Sequence, residues 1–156
     1  MSDATWMPFV QQCTDAGLQV DTNVAMAQRT TYGVGGSASV VVVIHSESDA
    51  LALSQVVAQC RVDNIVVVGR GSNVLVSDEG FNGVGVLLGA VSPDSAVNVE
   101  GDVVQAGGSV LMPVLARRSV GAGRGGLEWC VGIPGTVGGA VRMNAGGHGA
   151  EMVGDH

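Results

Sequence analysis

The sequence GGLEWCVGIPGTVGGAVRMNAGGHG, residues 125–149, has nine glycines in 25 positions and is the stretch that decides the fold. Glycine weakens helices and strands, but it permits positive φ and lets the backbone approach a ligand closely. Such a run is either a flexible linker or a binding surface made of main chain. Apolar residues such as Leu127, Trp129 and Ile133 interrupt the glycines and tie the run to a core. The sequence therefore favours a binding surface.

Pro134 is placed to begin a helix within this stretch, because its fixed φ suits the first turn and its missing N–H is not needed there. The backbone N–H groups of Gly135, Thr136, Val137 and Gly138 would then be free at the helix N-terminus. That end of a helix attracts anions, and phosphates above all. We therefore predict an anion-binding segment here.

A second glycine loop, Gly69-Arg70-Gly71-Ser72-Asn73, lies earlier in the chain. The apolar residues 64–68 before it predict a buried strand, and residues 74–76 resume the strand pattern. A strand, a glycine turn and a strand can point consecutive N–H groups at one anion; an ordinary hairpin turn is the alternative. The loop is not a Walker loop, since no Gly-Lys-Ser/Thr follows, and it lacks the GxGxxG pattern of a Rossmann unit.

Three motifs together resemble the UDP-N-acetylenolpyruvoylglucosamine reductase (MurB) family in order and spacing. They are TTYGVGG at 30–36, VVGRGSNVLVSDEGFNGVGVLL at 67–88 and GLEWCVGIPGTVGGAVRMNAGGHG at 126–149. The resemblance covers residues 28–153 and implies an α+β fold, the two-lobed FAD-binding domain of the vanillyl-alcohol oxidase/MurB (PCMH) type. Lobe 1 would occupy residues 28–90 and lobe 2 residues 91–156, after an N-terminal helix and lead-in at 1–27. The second lobe would be incomplete and the family's substrate domain absent.

The resemblance implies FAD as the cofactor of an NADPH-dependent reductase. The reaction would convert UDP-N-acetylglucosamine enolpyruvate to UDP-N-acetylmuramate in peptidoglycan synthesis. The family's catalytic arginine, serine and glutamate have no counterpart in these 156 residues, so no catalytic residue is assigned and the chain alone is expected to be inactive. An FAD-dependent sugar or alcohol oxidase of the same fold, or a truncated non-catalytic flavin-binding module, remains an alternative.

The resemblance also implies which residues bind FAD. These predicted residues fall in four segments: Gly69, Arg70, Gly71, Ser72, Asn73 and Val74; Gly107; Gly132, Ile133, Pro134, Gly135, Thr136, Gly138, Gly139 and Ala140; and Asn144, Ala145 and Gly146. Asn144 has a second interpretation as a helix cap, and Arg70 as a solvated arginine. Gly33 and His148 depart from the family, which usually has Arg and Tyr at those positions.

Composition bears on the remaining classes of function. The net charge is −7, with 14 acidic residues against seven basic ones, all arginine, which argues against nucleic acid or an anionic membrane as a partner. Cys13, Cys60 and Cys130 have no metal-ligand spacing, so we expect buried free thiols and no metal. The N-terminus lacks the basic and apolar regions of a signal peptide, and no apolar run reaches about 18 residues. We therefore expect a cytoplasmic protein without a membrane span.

Periodicity predicts the remaining elements. The valine-rich run at 38–44 predicts a strand buried on both faces, and Ser46 with Asp49 predicts the capped start of a helix. A helix over 5–16, a strand over 84–88, a hairpin over 96–106 and a helix capped by Ser109 and ending at Arg118 complete the prediction.

Overall fold

The computed structural model describes residues 5–89, 97–147 and 149–153. The chain divides into two compact units, Met1–Gly89 (unit 1) and Ala90–His156 (unit 2). Both units mix helices with strands, so the α+β class predicted from the sequence is confirmed. Three of the sequence predictions concern residues outside the described ranges. These are the lobe boundary at residues 90 and 91, the first residue of the predicted hairpin (Ala96), and His148.

A four-stranded sheet organises unit 1. Its strands lie in the order β1-β2-β4-β3; β1 is antiparallel to β2, whereas β2 and β3 both run parallel to β4. The elements of the unit are α1 (Met7–Asp15), β1 (Gln19–Ala25), a 3₁₀ turn (Met26–Arg29), β2 (Ser37–Ile44), α2 (Glu47–Cys60), β3 (Ile65–Val68) and β4 (Phe81–Leu88). The predicted first helix therefore exists, with each end one or two residues inside the expected bounds.

Strand β2 is buried on both faces, as its valine run predicts. Val40 and Val42 pack in a helix-side core with residues of α1 and α2, among them Phe9 and Leu53. Val41 points to the other face and packs in a loop-side core with Met26, Ala38, Val68 and Leu87. Burial of each such valine contributes on the order of 1.5–3 kcal/mol, so β2 anchors both sides of the unit.

The start of α2 matches the predicted cap. The Ser46 hydroxyl accepts the N–H of Asp49 at 3.1 Å, and the Asp49 carboxylate accepts the N–H of His45 at 2.8 Å. The backbone N–H of His45 and the hydroxyl of Ser46 hold the pKa of Asp49 below its usual value, because both stabilise the ionised carboxylate. The helix ends at Arg61, whose φ of 53° is left-handed.

Two strand predictions in unit 1 are wrong in detail. Strand β3 forms, but it lies at the edge of the sheet, and only Val68 of its four residues is buried. Residues 74–76 form no strand. Val74 and Val76 instead pack against the loop-side core. The alternating apolar pattern of this segment therefore reflects burial of these two side chains and not pairing in a sheet.

The segment Thr30–Gly36 holds the loop that follows β3. The Thr31 N–H donates to the Gly71 carbonyl at 3.0 Å, and the Gly36 N–H donates to the Ser77 carbonyl at 2.8 Å. Gly71 has a φ of 64°, and a Cβ there would lie 2.8 Å from the Thr30 Cα and collide with the Arg29 carbonyl oxygen. The two backbones are therefore in contact, and only glycine fits at position 71.

Unit 2 is built from two short sheets and two helices. It comprises β5 (Val97–Glu100), β6 (Val103–Ala106), α3 (Met112–Gly121), a 3₁₀ turn (Glu128–Gly132), α4 (Val137–Met143), β7 (Gly146–Gly147) and β8 (Ala150–Glu151). The predicted hairpin is confirmed as β5 and β6. The predicted Ser109 cap is wrong, because α3 begins at Met112 after Leu111, with Pro113 in its first turn.

The core of unit 2 lies between α3, the 3₁₀ turn and α4, where Met112, Leu115, Cys130 and Ala140 pack together. Burial raises the pKa of the Cys130 thiol and raises that of Cys13 in unit 1 to about 11. These two cysteines are buried free thiols as predicted, whereas Cys60 is half-buried. None of the helices among the described residues is long and apolar enough to cross a membrane.

Replacing Gly71 with Ala tests the backbone contact in unit 1. We expect Gly71→Ala to lower the free energy of unfolding by about 2–5 kcal/mol, because the Cβ adds a collision to the strain of a positive φ. Gly33→Ala is the matched control, since Gly33 has a φ of 67° but no heavy atom within 4 Å of its Cβ position. It should lose only about 1–2 kcal/mol of strain energy. Equal losses for the two variants in urea unfolding would contradict the contact.

Candidate cofactor-binding site

The loop Gly69–Asn73, called loop 1, follows β3 in unit 1. Gly71 is buried, Gly69 and Ser72 are half-buried, and Arg70 and Asn73 are exposed. Within the described residues, the backbone N–H groups of Gly69, Arg70 and Gly71 donate to no protein acceptor. Backbone donors that are not used by the protein are the groups that an anion needs. The unused donors of loop 1 are compatible with an anion site, whose occupancy stays a prediction.

Thr30, whose backbone contacts Gly71 of loop 1, has a side-chain hydroxyl that is not satisfied. Its Oγ1 atom is shielded from water and has no hydrogen-bond partner in the part of the chain that the structure describes. The Cα of the same residue would touch a side chain at Gly71. A buried polar atom without a partner costs about 1–3 kcal/mol, so this hydroxyl is a candidate ligand group that sequence reasoning missed.

Two arginines belong to loop 1 and to the segment packed on it. Arg29 ends the 3₁₀ turn that precedes Thr30, and Arg70 is within the loop; both residues are exposed. Neither side chain has an ion pair or hydrogen bond among residues 5–89, 97–147 and 149–153. Their charges are therefore available to an anion bound at the loop. Arg29 could have been found from the sequence only by knowing that Gly71 packs on its carbonyl.

The segment Gly132–Gly139, called loop 2, differs from its prediction. Helix α4 begins at Val137 rather than at Pro134, and its N-cap is Thr136, whose hydroxyl accepts the Gly139 N–H at 3.3 Å. Thr136 is buried, so this cap is formed inside unit 2.

Two of the four N–H groups that were expected to be free are engaged by the protein. The Val137 N–H donates to the Val110 carbonyl at 2.8 Å, and the Gly138 N–H donates to the Gly108 carbonyl at 2.9 Å. The prediction of four free donors is therefore wrong for Val137 and Gly138. The N–H groups of Gly135, which has a φ of 111°, and Thr136 have no acceptor among the described residues.

Close packing explains part of the glycine content of loop 2. A Cβ on Gly138 would lie 3.1 Å from the Gly108 carbonyl oxygen, so the backbones of these two residues approach each other. Gly107 is exposed and its carbonyl accepts the Val110 N–H at 3.1 Å. The predicted residues Ile133 and Ala140 have buried side chains in the core of unit 2.

Asn144 caps α4. It adopts a left-handed φ of 46°, its Nδ2 donates to Glu151 Oε2 at 3.1 Å, and its Oδ1 accepts the Val153 N–H at 3.0 Å. The capping interpretation of Asn144 is confirmed, and its contact with a cofactor stays a prediction. Ala145 donates to the Ala140 carbonyl, and Gly146 pairs with Glu151 in the two-residue sheet.

Other polar groups of unit 2 have structural roles. Glu128 Oε2 accepts the Gly126 N–H at 2.7 Å, and Arg124 Nη1 pairs with Asp102 Oδ1 at 2.8 Å. A surface groove of about 470 Å³ lies between Asp102, Arg124 and Leu127, and none of the predicted site residues lines it. No group of three or more His, Cys, Asp or Glu side chains among the described residues is arranged to hold a metal ion.

A family model described as an FAD binding domain matches residues 38–156. The UDP-N-acetylenolpyruvoylglucosamine reductase of Caldicellulosiruptor bescii is 36% identical over 146 residues, which cover 94% of this chain and 45% of that protein. The Bacillus subtilis protein of the same name is 42% identical over 134 residues, covering 86% of this chain and 43% of that protein. The chain thus spans less than half the length of these relatives.

A solved structure of the same family is also similar to this chain. The crystal structure of UDP-N-acetylenolpyruvylglucosamine reductase (MurB) from Thermus caldophilus matches with a TM-score of 0.65 and 31% sequence identity. The match covers 86% of this chain and 45% of that chain. The two-lobed FAD-binding fold expected from the sequence motifs is confirmed by this likeness and by the family match.

Loop 1 has more polar groups without a protein partner than loop 2 does, within the described residues. It combines the unused N–H groups of residues 69–71, the unsatisfied Thr30 hydroxyl and the unpaired Arg29 and Arg70. Within the described residues, the unused N–H groups of loop 2 next to α4 are those of Gly135 and Thr136, because the N–H groups of Val137, Gly138 and Gly139 are engaged. Among the described residues, loop 1 therefore offers more unused donors and charges than loop 2 does, and the cofactor contacts of both loops stay predictions.

Removing the Thr30 hydroxyl should have opposite effects on stability and on binding. Without FAD, Thr30→Val should raise the free energy of unfolding by about 1 kcal/mol, because an unsatisfied buried hydroxyl is replaced by a methyl group. With FAD, it should raise the Kd about fivefold, since a hydrogen bond to a charged oxygen is lost. Unfolding and FAD titration of the same variant check both signs. A variant that is less stable and binds FAD normally would contradict the role.

Proposed function

The chain belongs to the FAD binding domain family, and on that premise we propose that it is the FAD-binding portion of a UDP-N-acetylenolpyruvoylglucosamine reductase. The observation that carries the binding half of this proposal is loop 1, whose three unused N–H groups lie beside two unpaired arginines. The relatives described above are reductases, which favours the reductase over an oxidase of the same fold. The names of these relatives and the extent of the match support the assignment to a reductase.

FAD supplies the hydride chemistry of such an enzyme, and the protein supplies binding and orientation. In unit 1, the N–H groups of loop 1 would donate to the diphosphate, and Thr30 would add a hydroxyl donor. Arg70 would neutralise charge at the surface of the site. In unit 2, the N–H groups of Gly135 and Thr136 have no acceptor among the described residues and are the donors that loop 2 could offer to an anion.

The reaction of the whole protein follows from the proposed family relationship. NADPH would be the reductant and UDP-N-acetylglucosamine enolpyruvate the substrate, in a cytoplasmic step of peptidoglycan synthesis. Saturation of an enolpyruvyl double bond needs a hydride donor, electrostatic stabilisation of the carbanion-like centre, and a placed general acid. We assign none of these catalytic roles to residues 1–156, so the proposal for this chain is limited to binding and orienting FAD.

Arg70 offers a direct test of the binding site. We expect Arg70→Ala to raise the Kd for FAD about fivefold and to reduce its dependence on salt, because one charge beside the diphosphate is removed. Arg117→Ala is the control, since Arg117 is an exposed arginine on α3 outside both loops. The measurement is quenching of flavin fluorescence on titration at two ionic strengths. Equal weakening by the two substitutions would contradict a specific site at loop 1.

Turnover by the isolated chain tests where the catalytic groups lie. We expect the 156-residue chain with FAD, NADPH and the UDP-sugar to show no substrate-dependent consumption of NADPH, because no general acid is assigned to it. NADPH absorbance gives the rate. Substrate-dependent turnover of about 1 per second or faster would show that the catalytic groups are present and that we have overlooked them.

A further inference from the structure

The sheet of unit 1 has two edges among the described residues, β1 and β3, and they differ in how they are protected. Strand β1 carries the charged residue Asp21, and it is interrupted at Asn23, which has a left-handed φ of 52° and no partner in the pairing with β2. Charges and bulges of this kind keep other strands away from a sheet edge. Strand β3, with the sequence IVVV, has neither a charge nor a proline. The chain therefore protects one edge of this sheet and not the other.

Alternate backbone groups of β3 point to its open edge. Ile65 lies opposite Val84 in the parallel pairing with β4, and the Val84 N–H donates to the Asn64 carbonyl at 2.9 Å. In a parallel ladder of this phase, the residues on either side of Ile65 bond to β4, whereas the N–H and C=O of Ile65 itself point away from β4. The same holds two residues later for Val67, which lies opposite Val86. Ile65 and Val67 thus each present one donor and one acceptor to the open edge.

The same two residues carry the exposed apolar side chains of β3. Ile65 is 37% and Val67 is 61% exposed, and side chains two residues apart lie on the same face of a strand. Val66 and Val68 point to the other face, where they pack in the loop-side core. An additional strand at this edge would therefore gain hydrogen bonds and apolar contact from the same two positions.

We propose that the open edge of β3 binds the same edge of a second copy of this chain, as an antiparallel pair with Val66 at the two-fold axis. In this register Ile65 of each copy lies opposite Val67 of the other, so the backbone groups that point to the edge bond to each other. Opposite residues of an antiparallel pair have their side chains on the same face, so the exposed side chains of Ile65 and Val67 pack together. The strand is complementary to itself, which a two-fold interface requires.

Charges at the two ends of β3 favour this antiparallel arrangement. Asp63 precedes the strand and Arg70 follows it, so each Asp63 lies at the end where Arg70 of the second copy lies. Parallel pairing in register would instead bring like charges together at both ends. A shift of the antiparallel register by one residue is also disfavoured, because exposed side chains would then lie opposite Val66 and Val68, which face the other side of the sheet.

Sedimentation equilibrium of the purified 156-residue chain measures this pairing. Because each copy contributes only a four-residue strand, we expect a Kd on the order of 100 µM, weaker than that of a standard-size interface. Ile65→Lys should raise this Kd at least about tenfold, since a charge replaces an apolar cross-strand contact. Leu51→Lys is the matched control, because Leu51 is 60% exposed on α2, away from the strand, and should leave the Kd unchanged.

A disulfide tests the register. Val66 faces its own copy across the two-fold axis in a non-hydrogen-bonded pair, whose Cα atoms lie about 4.5 Å apart, within the range of disulfides. Val66→Cys should therefore form a cross-linked dimer on a non-reducing gel when diamide is reduced and two thiols are oxidised to one disulfide. The wild type, with its cysteines at 13, 60 and 130, and Leu51→Cys should stay monomeric. Thermal unfolding of each variant at low concentration checks that the fold is retained.

The remaining outcomes are decisive. A wild-type chain that stays monomeric up to millimolar concentration overturns the proposal. A dimer whose Kd is the same in Ile65→Lys as in the wild type also overturns it, because the shared surface then lies elsewhere. If Ile65→Lys weakens the dimer and Val66→Cys does not cross-link, β3 pairs in another register and the two-fold pair at Val66 is wrong.

Discussion

The contact between Gly71 and the backbone of Arg29 and Thr30 is the constraint on which unit 1 depends. It brings a loop that follows β3 against a segment that precedes β2, although about 40 residues separate them in the chain, and the hydrogen bond from Thr31 to the Gly71 carbonyl fixes their register. This contact engages one carbonyl of loop 1, whereas the N–H groups of Gly69, Arg70 and Gly71 have no acceptor among the described residues. The contact holds the loop in place, and a binding loop held in advance loses less entropy on binding.

The two loops are both rich in glycine but use it for different purposes. In loop 1, glycine permits the backbone contact with the Thr30–Gly36 segment and leaves the N–H groups unused. In loop 2, Gly138 packs against Gly108, and the donors of Val137 and Gly138 stabilise unit 2 itself. A glycine-rich motif alone therefore does not establish that its N–H groups bind a ligand, and a complete account of the hydrogen bonds is needed.

Features determined by neighbouring residues could be predicted from the sequence, and those determined by distant residues could not. The Ser46 cap and the hairpin of β5 and β6 depend on a few adjacent positions, and both are confirmed. The edge position of β3 depends on the insertion of β4 between β2 and β3, which no local pattern records. The start of α4 at Val137 depends on bonds to Gly108 and Val110, so Pro134 was a misleading signal. The motifs identified the family, whereas the Thr30 hydroxyl was missed because its burial arises only from the fold.

The edge position of β3 has a consequence for solubility. Ile65 and Val67 are exposed on a strand that, among the described residues, pairs with β4 on one side only. Many proteins protect such an edge with lysine, but this chain contains no lysine, and the charges nearest to β3 in sequence are Asp63 and Arg70. Unpaired N–H and C=O groups on an apolar edge can add a strand from another molecule. Self-association through β3 is therefore a route by which unit 1 can aggregate at high concentration, and a charged residue at position 67 would block it.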